Sequence, residues 1–360
     1  MPFELNEKIR NLVPYDPIAG EYPVRLDANE SFLPVGEEER AVLLACAERV
    51  DLRRYPDPAA GALCAAAAAY YDVPQAQLTA WNGLDEAILL LSSAFLGKGN
   101  TLLCYALDFS MYAFNARLSG AACVKLPKRA DFSIDADAAI AALEAHRPAM
   151  FLFSNPCNPT SIVLPREDVR RIVRAAQNTG AFVALDEAYM DFSDQSLLGE
   201  AAQYDNLAVL RTCSKAPGLA GLRLGFSVAN PAVTQALHAV KSPYNVGVLT
   251  QAVGEAILRQ PERLHAGVAA IRQSAVALSA GLDVLERRYP ERLHVAGDAA
   301  NFVFVAMPEA TAAFEYLKAR GVIVRRFGET ALRITAGAAE ENAALLAGLG
   351  AYLGENGFEA

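Results

Sequence analysis

An asparagine, an aspartate, a tyrosine, a lysine and an arginine each follow closely on a short apolar run in this sequence. After Ala149-Met150-Phe151-Leu152-Phe153 comes Ser154-Asn155-Pro156-Cys157-Asn158-Pro159-Thr160. After Ala181-Phe182-Val183-Ala184-Leu185 comes Asp186-Glu187-Ala188-Tyr189. Leu207-Ala208-Val209-Leu210 leads into Arg211-Thr212-Cys213-Ser214-Lys215, then Gly218-Leu219-Ala220-Gly221-Leu222-Arg223. Runs of this length read as buried strands, and in a parallel sheet ligands sit beyond the carboxyl ends of the strands. Singly, each residue has an ordinary explanation: Lys215 a surface lysine, Asp186 a helix cap, Tyr189 a core aromatic. Together, in order and at strand ends, they are not a packing pattern.

The group suits one chemistry. A lysine in a crowded, partly desolvated site forms a Schiff base with an aldehyde. An aspartate aimed at a pyridine nitrogen keeps that ring protonated, an electron sink for carbanion chemistry. Asn158 and Tyr189 can hydrogen-bond a phenolic oxygen, while arginine, serine, threonine and free backbone N–H groups hold a phosphate. In Trp81-Asn82-Gly83-Leu84-Asp85-Glu86 a glycine turn precedes the apolar helix expected over Ala87 to Leu96, whose amino end is an anion site. These are the requirements of pyridoxal 5′-phosphate. Lys98, in Gly97-Lys98-Gly99-Asn100-Thr101, lacks the spacing of a phosphate loop.

The elements that must position these groups follow from periodicity. From about residue 80 to 230, apolar runs alternate with helical patterns; Thr101-Leu102-Leu103-Cys104-Tyr105 is a further strand. Pro165 opens a helix whose Val169, Ile172, Val173 and Ala176 share one face, ending near Gly180. Strand, helix, strand in succession predicts a mostly parallel sheet covered by helices, an α/β fold. Alanine-rich Ala59 to Tyr71 reads as a helix. Beyond about 245 come long helices (Val248 to Arg259, Leu264 to Leu285) and short strands at 301–305, 322–324 and 332–334. The expected division is an irregular arm over 1–35 joining the small domain, a large domain over 36–245 and a smaller α+β domain over 246–360.

Composition bounds the rest. The chain has 360 residues, 53% hydrophobic and 20% charged, enough for a large core and too apolar for global disorder. A net charge of −9 disfavours nonspecific nucleic-acid or anionic-membrane partners. No run approaches the length of an uninterrupted membrane span, and the polar start argues against a secretory signal. The six cysteines are scattered and suit reduced thiols in a cytoplasm. The four histidines lie far apart, so no metal site is expected.

With these motifs in hand, the chain resembles the fold-type I pyridoxal-phosphate-dependent aminotransferases. Asn155 to Thr160, Asp186 to Tyr189 and Ser214 to Arg223 carry the likeness. Val13-Pro14-Tyr15, Leu26-Asp27-Ala28-Asn29-Glu30, Arg54-Tyr55-Pro56-Asp57 and Leu332-Arg333-Ile334-Thr335 with Gly337 are similar to the histidinol-phosphate aminotransferase branch. The resemblance implies a large domain with a mostly parallel seven-stranded sheet flanked by helices, plus a smaller α+β domain.

It also implies roles. Lys215 forms the Schiff base and shuttles the proton, Asp186 pairs with the pyridinium nitrogen, and Asn158 and Tyr189 hold the 3′-oxygen. Phe109 stacks on the ring; Leu84, Asp85, Thr212, Ser214 and Arg223 surround the phosphate beside the Gly83 turn. Tyr55 reaches that phosphate from a second subunit, which implies a homodimer with shared sites. Arg333 clamps the substrate carboxylate. Arg325 and Tyr15 are candidates for a distal substrate phosphate and Asn29 for lining the pocket, with the choice between Arg325 and Arg326 open. The implied reaction converts histidinol phosphate and 2-oxoglutarate to imidazole acetol phosphate and glutamate. Threonine-phosphate decarboxylation and aromatic amino acid transamination are alternatives on the same scaffold; a pyridoxal-phosphate-sensing regulatory module is one of another class. Three positions depart from the family pattern: Ser161 stands for the usual glycine, Phe109 for the branch's frequent tyrosine, and the segment Arg325 to Thr330 is short.

Overall fold

A computed structural model of the protein describes residues 3–10, 12 and 18–355. The chain opens with α1 (Glu7–Arg10), β1 (Val24–Leu26), α2 (Glu37–Arg49) and α3 (Gly61–Tyr71). Then follow β2 (Leu78–Trp81), α4 (Leu84–Phe95), β3 (Thr101–Tyr105), α5 (Met111–Ser119), β4 (Ala122–Leu126) and α6 (Ala136–His146). Next come β5 (Met150–Ser154), α7 (Arg166–Thr179), β6 (Phe182–Asp186), β7 (Leu207–Thr212), β8 (Gly225–Ala229) and α8 (Pro231–Val240). The last part holds α9 (Val248–Leu258), α10 (Pro261–Arg288), β9 (His294–Gly297) and β10 (Phe302–Ala306). It ends with α11 (Ala310–Lys318), β11 (Val322–Phe327), β12 (Ala331–Thr335) and α12 (Ala339–Glu355).

Seven strands form one sheet in the order β2-β8-β7-β6-β5-β3-β4, parallel from β7 through β4, with β8 antiparallel to both neighbours. The α/β expectation is met. Side chains alternate across a strand, and here the alternation divides two cores. Phe151, Phe153, Val183, Leu185, Leu207 and Val209 pack with α3, α6, α7 and α9. Met150, Leu152, Phe182, Ala184, Ala208 and Leu210 pack with α4 and α5 on the other face. α7 follows its forecast closely: Val169, Ile172, Val173 and Ala176 are its buried face, Gly180 closes it at φ +77°, and Pro165 is its N-cap.

The second sheet, β1-β11-β12-β10-β9, has five strands. Val303, Val305, Val322, Val324, Leu332 and Ile334 pack on α10, α11 and α12. The residues between them face the opposite way. The arm is not wholly irregular, because β1 pairs in parallel with β11, Val24 opposite Val322. The forecast limit at 245 falls just before α9, yet Val253, Ile257 and Leu258 of α9 are buried in the large-sheet core. α10 is long and apolar enough to cross a membrane by composition alone. In this fold its Leu278 and Leu282 are buried in the small-sheet core and its Ile271 beside Tyr189.

Alternation also separates two adjacent acids. Asp186 continues the even-numbered face of β6 toward α4 and α5, and Glu187 turns to the other side. There Glu187 meets Arg211 at 3.1 Å, and Arg211 meets Asp191 at 2.9 Å. Ser196 Oγ and the Leu197 N–H donate to Glu187, so this buried carboxylate is satisfied on both oxygens. Removing one partner of such a pair strands the other charge. Arg211→Met should therefore cost ~3 kcal/mol, and the Arg211→Met/Glu187→Gln double variant should cost clearly less than the two single variants added together. Urea denaturation measures both; full additivity would refute the coupling.

Candidate active site

The carboxyl ends of the parallel strands align in register, Ser154 beside Asp186 and Asp186 beside Leu210, two residues before Thr212. On the α4 and α5 side of this rim lies a cavity of about 260 Å³. Asn29, Leu84, Asp85, Phe109, Asn158, Asp186, Tyr189, Thr212, Ser214, Lys215, Arg223 and Arg333 all line it. Twelve candidates from seven separate chain segments thus meet in one space.

Asp186 is buried on the floor. The Tyr112 hydroxyl donates to its Oδ2 at 2.7 Å and the Ala188 N–H to its Oδ1 at 3.0 Å. Burial pushes its pKa up to about 6 against the pull of those two donors. No cation lies within ion-pair distance of it among the described residues. Lys215 is half-buried, its Nζ donating to the Ala28 carbonyl at 2.9 Å. Burial first, then the charge of Arg333, pushes its pKa down to about 8, which leaves a neutral amine within reach of physiological pH.

At one end of the cavity Gly83 caps α4 at φ +78°, and a Cβ there would stand 2.5 Å from Nη2 of Arg223. Glycine is required for both reasons. Gly83 itself does not line the cavity; it lets Arg223 lie across the helix end, where Nη1 donates to Ser214 Oγ at 3.3 Å and Nη2 to Asp85 at 3.2 Å. The first N–H groups of α4 have no partner inside the helix. Arginine, two hydroxyls and a helix amino end make a cradle for a dianion.

The small sheet closes the other side. Arg333 Nη1 donates to Asn158 Oδ1 and Nη2 to the Asp27 carbonyl, both at 2.6 Å. Asn29 Nδ2 donates to the Tyr189 hydroxyl at 2.9 Å, and Thr335 Oγ1 donates to Asn29 Oδ1 at 3.1 Å. Burial raises the Tyr189 pKa, offset by Arg333 and Asn29.

Register sends the two arginines to opposite faces of the small sheet. Arg325 lies directly opposite Arg333, and residues so paired project from the same face of the sheet. Arg326 lies opposite Leu332 and bonds Thr311 and the Gly328 carbonyl on the far side. Arg325 does not line the cavity itself. Tyr55 is also outside it, 79% exposed and stacked on Tyr244 at 4.5 Å. Tyr15 lies outside the described residues. Ser161 keeps the left-handed backbone expected of the glycine it replaces, φ +54°. Its buried hydroxyl donates to the Phe302 carbonyl and accepts from the Ala300 N–H, each at 2.9 Å.

Sequence reasoning missed Tyr112, Ser154, Asp27 and Ala28. Tyr112 had a signal: it follows Phe109 by three residues at a helix start, a spacing that puts both on one face, and their rings meet edge to face at 5.6 Å. Phe109 lines the cavity without the hydroxyl that a tyrosine would bring.

The pocket fits the group that its residues suggested. A buried carboxylate without a cation, an amine of lowered pKa and an anion cradle occupy one cavity, which suits a molecule with a protonated ring nitrogen, an aldehyde and a phosphate. In the unliganded protein the ionised Asp186 carries a burial penalty. Its folded pKa is raised, so the penalty is absent below the ordinary value of 3.8 and full above about 6. Asp186→Asn should therefore stabilise the unliganded protein at pH 8 by ~1–3 kcal/mol and leave it unchanged below pH ~4, read from thermal unfolding across pH. An equal effect at both pH values would refute the penalty.

Known proteins resemble this chain in sequence and in fold. The family model for aminotransferase class I and II matches residues 24–349. A histidinol-phosphate aminotransferase of Chromobacterium violaceum is 39% identical over 91% of each chain. One of Clostridium kluyveri is 31% identical over 96% of this chain and 98% of its own. The crystal structure of histidinol-phosphate aminotransferase from Sinorhizobium meliloti, in complex with pyridoxal-5′-phosphate, superposes with a TM-score of 0.84 at 21% identity. It covers 93% of this chain and 92% of its own. The chain belongs to the class I and II aminotransferases.

Proposed function

We propose that this protein is a pyridoxal-phosphate-dependent transaminase that takes the amino group of histidinol phosphate and passes it to 2-oxoglutarate. The observation that carries the cofactor reading is the buried, cation-free Asp186 facing the same cavity as Lys215. The names of its full-length relatives support the substrate. When bound, pyridoxal phosphate supplies an aldehyde for the amine and a ring that withdraws electrons from the substrate Cα.

The chain's own residues do the rest. Asp186 holds the proton of the ring nitrogen, and Tyr112 and the Ala188 N–H hold Asp186. Lys215, neutral near its lowered pKa, takes the proton from the substrate Cα at Nζ and would return it to the carbon on the far side of the amino nitrogen. Asn158 and Tyr189 hold the ring oxygen. Arg223, Ser214, Thr212 and the amino end of α4 hold the phosphate. Arg333 turns its fork to the carboxylate of the amino or oxo acid, a planar two-point contact that lysine cannot copy. Arg325, on the same sheet face, and Tyr15 serve the distal phosphate, with Asn29 on the wall. Two like charges directly opposed across strands repel, and an anionic substrate offsets that cost.

Tyr55 belongs to this reading as a contact made across a homodimer. Leu44, Leu52, Tyr55, Tyr244 and Leu249 are exposed apolar side chains on α2, the 52–55 segment, the approach to α9 and the first turn of α9. Such a patch suits an interface. The two-lobed division with its arm belongs to the same proposal, with α9 assigned to the large unit on its packing. A cytoplasmic setting is supported by the six free thiols.

The deciding measurement follows the bound chromophore in single half-reactions with histidinol phosphate, phosphothreonine, phenylalanine and glutamate. Histidinol phosphate and glutamate should react fastest. Release of carbon dioxide from phosphothreonine would favour the decarboxylase, and a faster reaction of phenylalanine the aromatic enzyme. Lys215→Ala should lower turnover by about 10²–10⁴-fold; retained turnover would refute its role. Leu44→Glu with Leu52→Glu should give a monomer with weaker cofactor retention in sedimentation and dialysis, whereas an unchanged dimer would remove this patch from the interface.

A further inference from the structure

Outside the cavity, two nucleophilic side chains are in contact with no part in the reaction described. Nζ of Lys128 lies 2.7 Å from Sγ of Cys157 and 3.2 Å from Oγ1 of Thr160. N–H···O bonds centre at about 2.9–3.0 Å, and the larger radius of sulfur should lengthen a contact to a thiol. This one is shorter instead. Cys157 Sγ also meets the Thr160 side chain, and lies a longer 3.8 Å from the Leu107 carbonyl. Cys157 is fully buried and Lys128 half-buried, so solvent meets the pair on the lysine side.

We propose that Lys128 and Cys157 form an oxidative modification site in which a single oxygen atom bridges Nζ and Sγ. Lys128 first loses its ammonium proton to solvent. The neutral amine, the thiol and one molecule of dioxygen then give Nζ–O–Sγ and one water. Nitrogen and sulfur each lose two electrons, and the two oxygen atoms gain the four. One hydrogen from the amine and one from the thiol leave with the second oxygen as water. Two equivalents of a dithiol reverse the step, returning amine, thiol and a second water.

The setting gives the bridge a consequence. Lys128 stands just beyond β4, and Cys157 sits in the turn that carries Asn158, 29 residues further on. That turn is held by Ser154 Oγ accepting from the Asn158 N–H at 3.0 Å, by Asp108 accepting from Ser154 Oγ, and by Ser161 bonded to the small sheet. The bridge removes the Lys128 charge, which faces Asp108, and covalently ties the turn to β4. A lone buried thiol would instead climb toward sulfinic acid once oxidised; an adjacent amine diverts it.

The test needs only the intact holoenzyme, exposed to air or dilute hydrogen peroxide and digested without reductant. Mass spectrometry should find the Lys128 and Cys157 peptides joined, with one oxygen gained and two hydrogens lost, and separated by dithiothreitol. Lys128→Met should abolish the link and leave Cys157 to oxidise to sulfinic acid. The pair Cys104 and Cys123, with Sγ atoms 3.6 Å apart, reports thiol oxidation in the same digest. Their disulfide appearing while Cys157 stays a free thiol would overturn the proposal, as would a joined pair lacking the oxygen.

Discussion

A carboxylate buried without a counter-ion is the constraint around which this protein is organised. Asp186 ends a strand in the middle of a parallel sheet, where it is buried at the floor of the cavity, and among the described residues the Tyr112 hydroxyl and the Ala188 N–H donate to it. Isolated charges in such places are unfavourable unless something cationic completes them. The fold leaves a cavity in front of this acid and gathers Lys215, Arg223, Ser214 and Arg333 around it. The floor of the cavity thus favours a cationic group in front of Asp186 before any ligand arrives.

The second feature is that neither sheet makes the site alone. Arg333 and Thr335 come from the small sheet, Asn29 from the segment after β1, and Asn158 and Tyr189 from the large unit. Hydrogen bonds run from Arg333 to Asn158 and from Thr335 through Asn29 to Tyr189. Asn158 and Tyr189 of the large unit are therefore coupled by hydrogen bonds to Arg333, Asn29 and Thr335. Ser161 adds a direct bond between the Asn158 turn and β10. Any shift of the small unit toward or away from the large one is felt at Asn158 and Tyr189.

Much of this was legible in the chain. The apolar runs at 149–153, 181–185 and 207–210 fall in strands β5, β6 and β7 because each is buried on both faces, and a fully buried strand needs no alternation to announce it. α7 was legible to its last turn because its moment, its proline and its glycine agree. β1 was not: three residues in a polar arm carry no pattern, and it is a strand only because β11 supplies the hydrogen bonds. The packing of α9 on α2 and α3 was not legible either, since its apolar face is covered by segments far away in the chain.

By itself the sequence determined which side chains stand at strand ends, their order, and the chemistry that such a set can perform, because strand length and side-chain type are local properties. It also determined that Gly83 opens a helix. Only the tertiary structure decided that Arg325 and not Arg326 shares a face with Arg333, that Tyr112 holds Asp186, and that Glu187 turns away to Arg211. Each of these depends on the pairing register or on burial between segments far apart in the chain. The elevated pKa of Asp186 and the lowered one of Lys215 belong to the same class, since both are set by how completely distant residues exclude water.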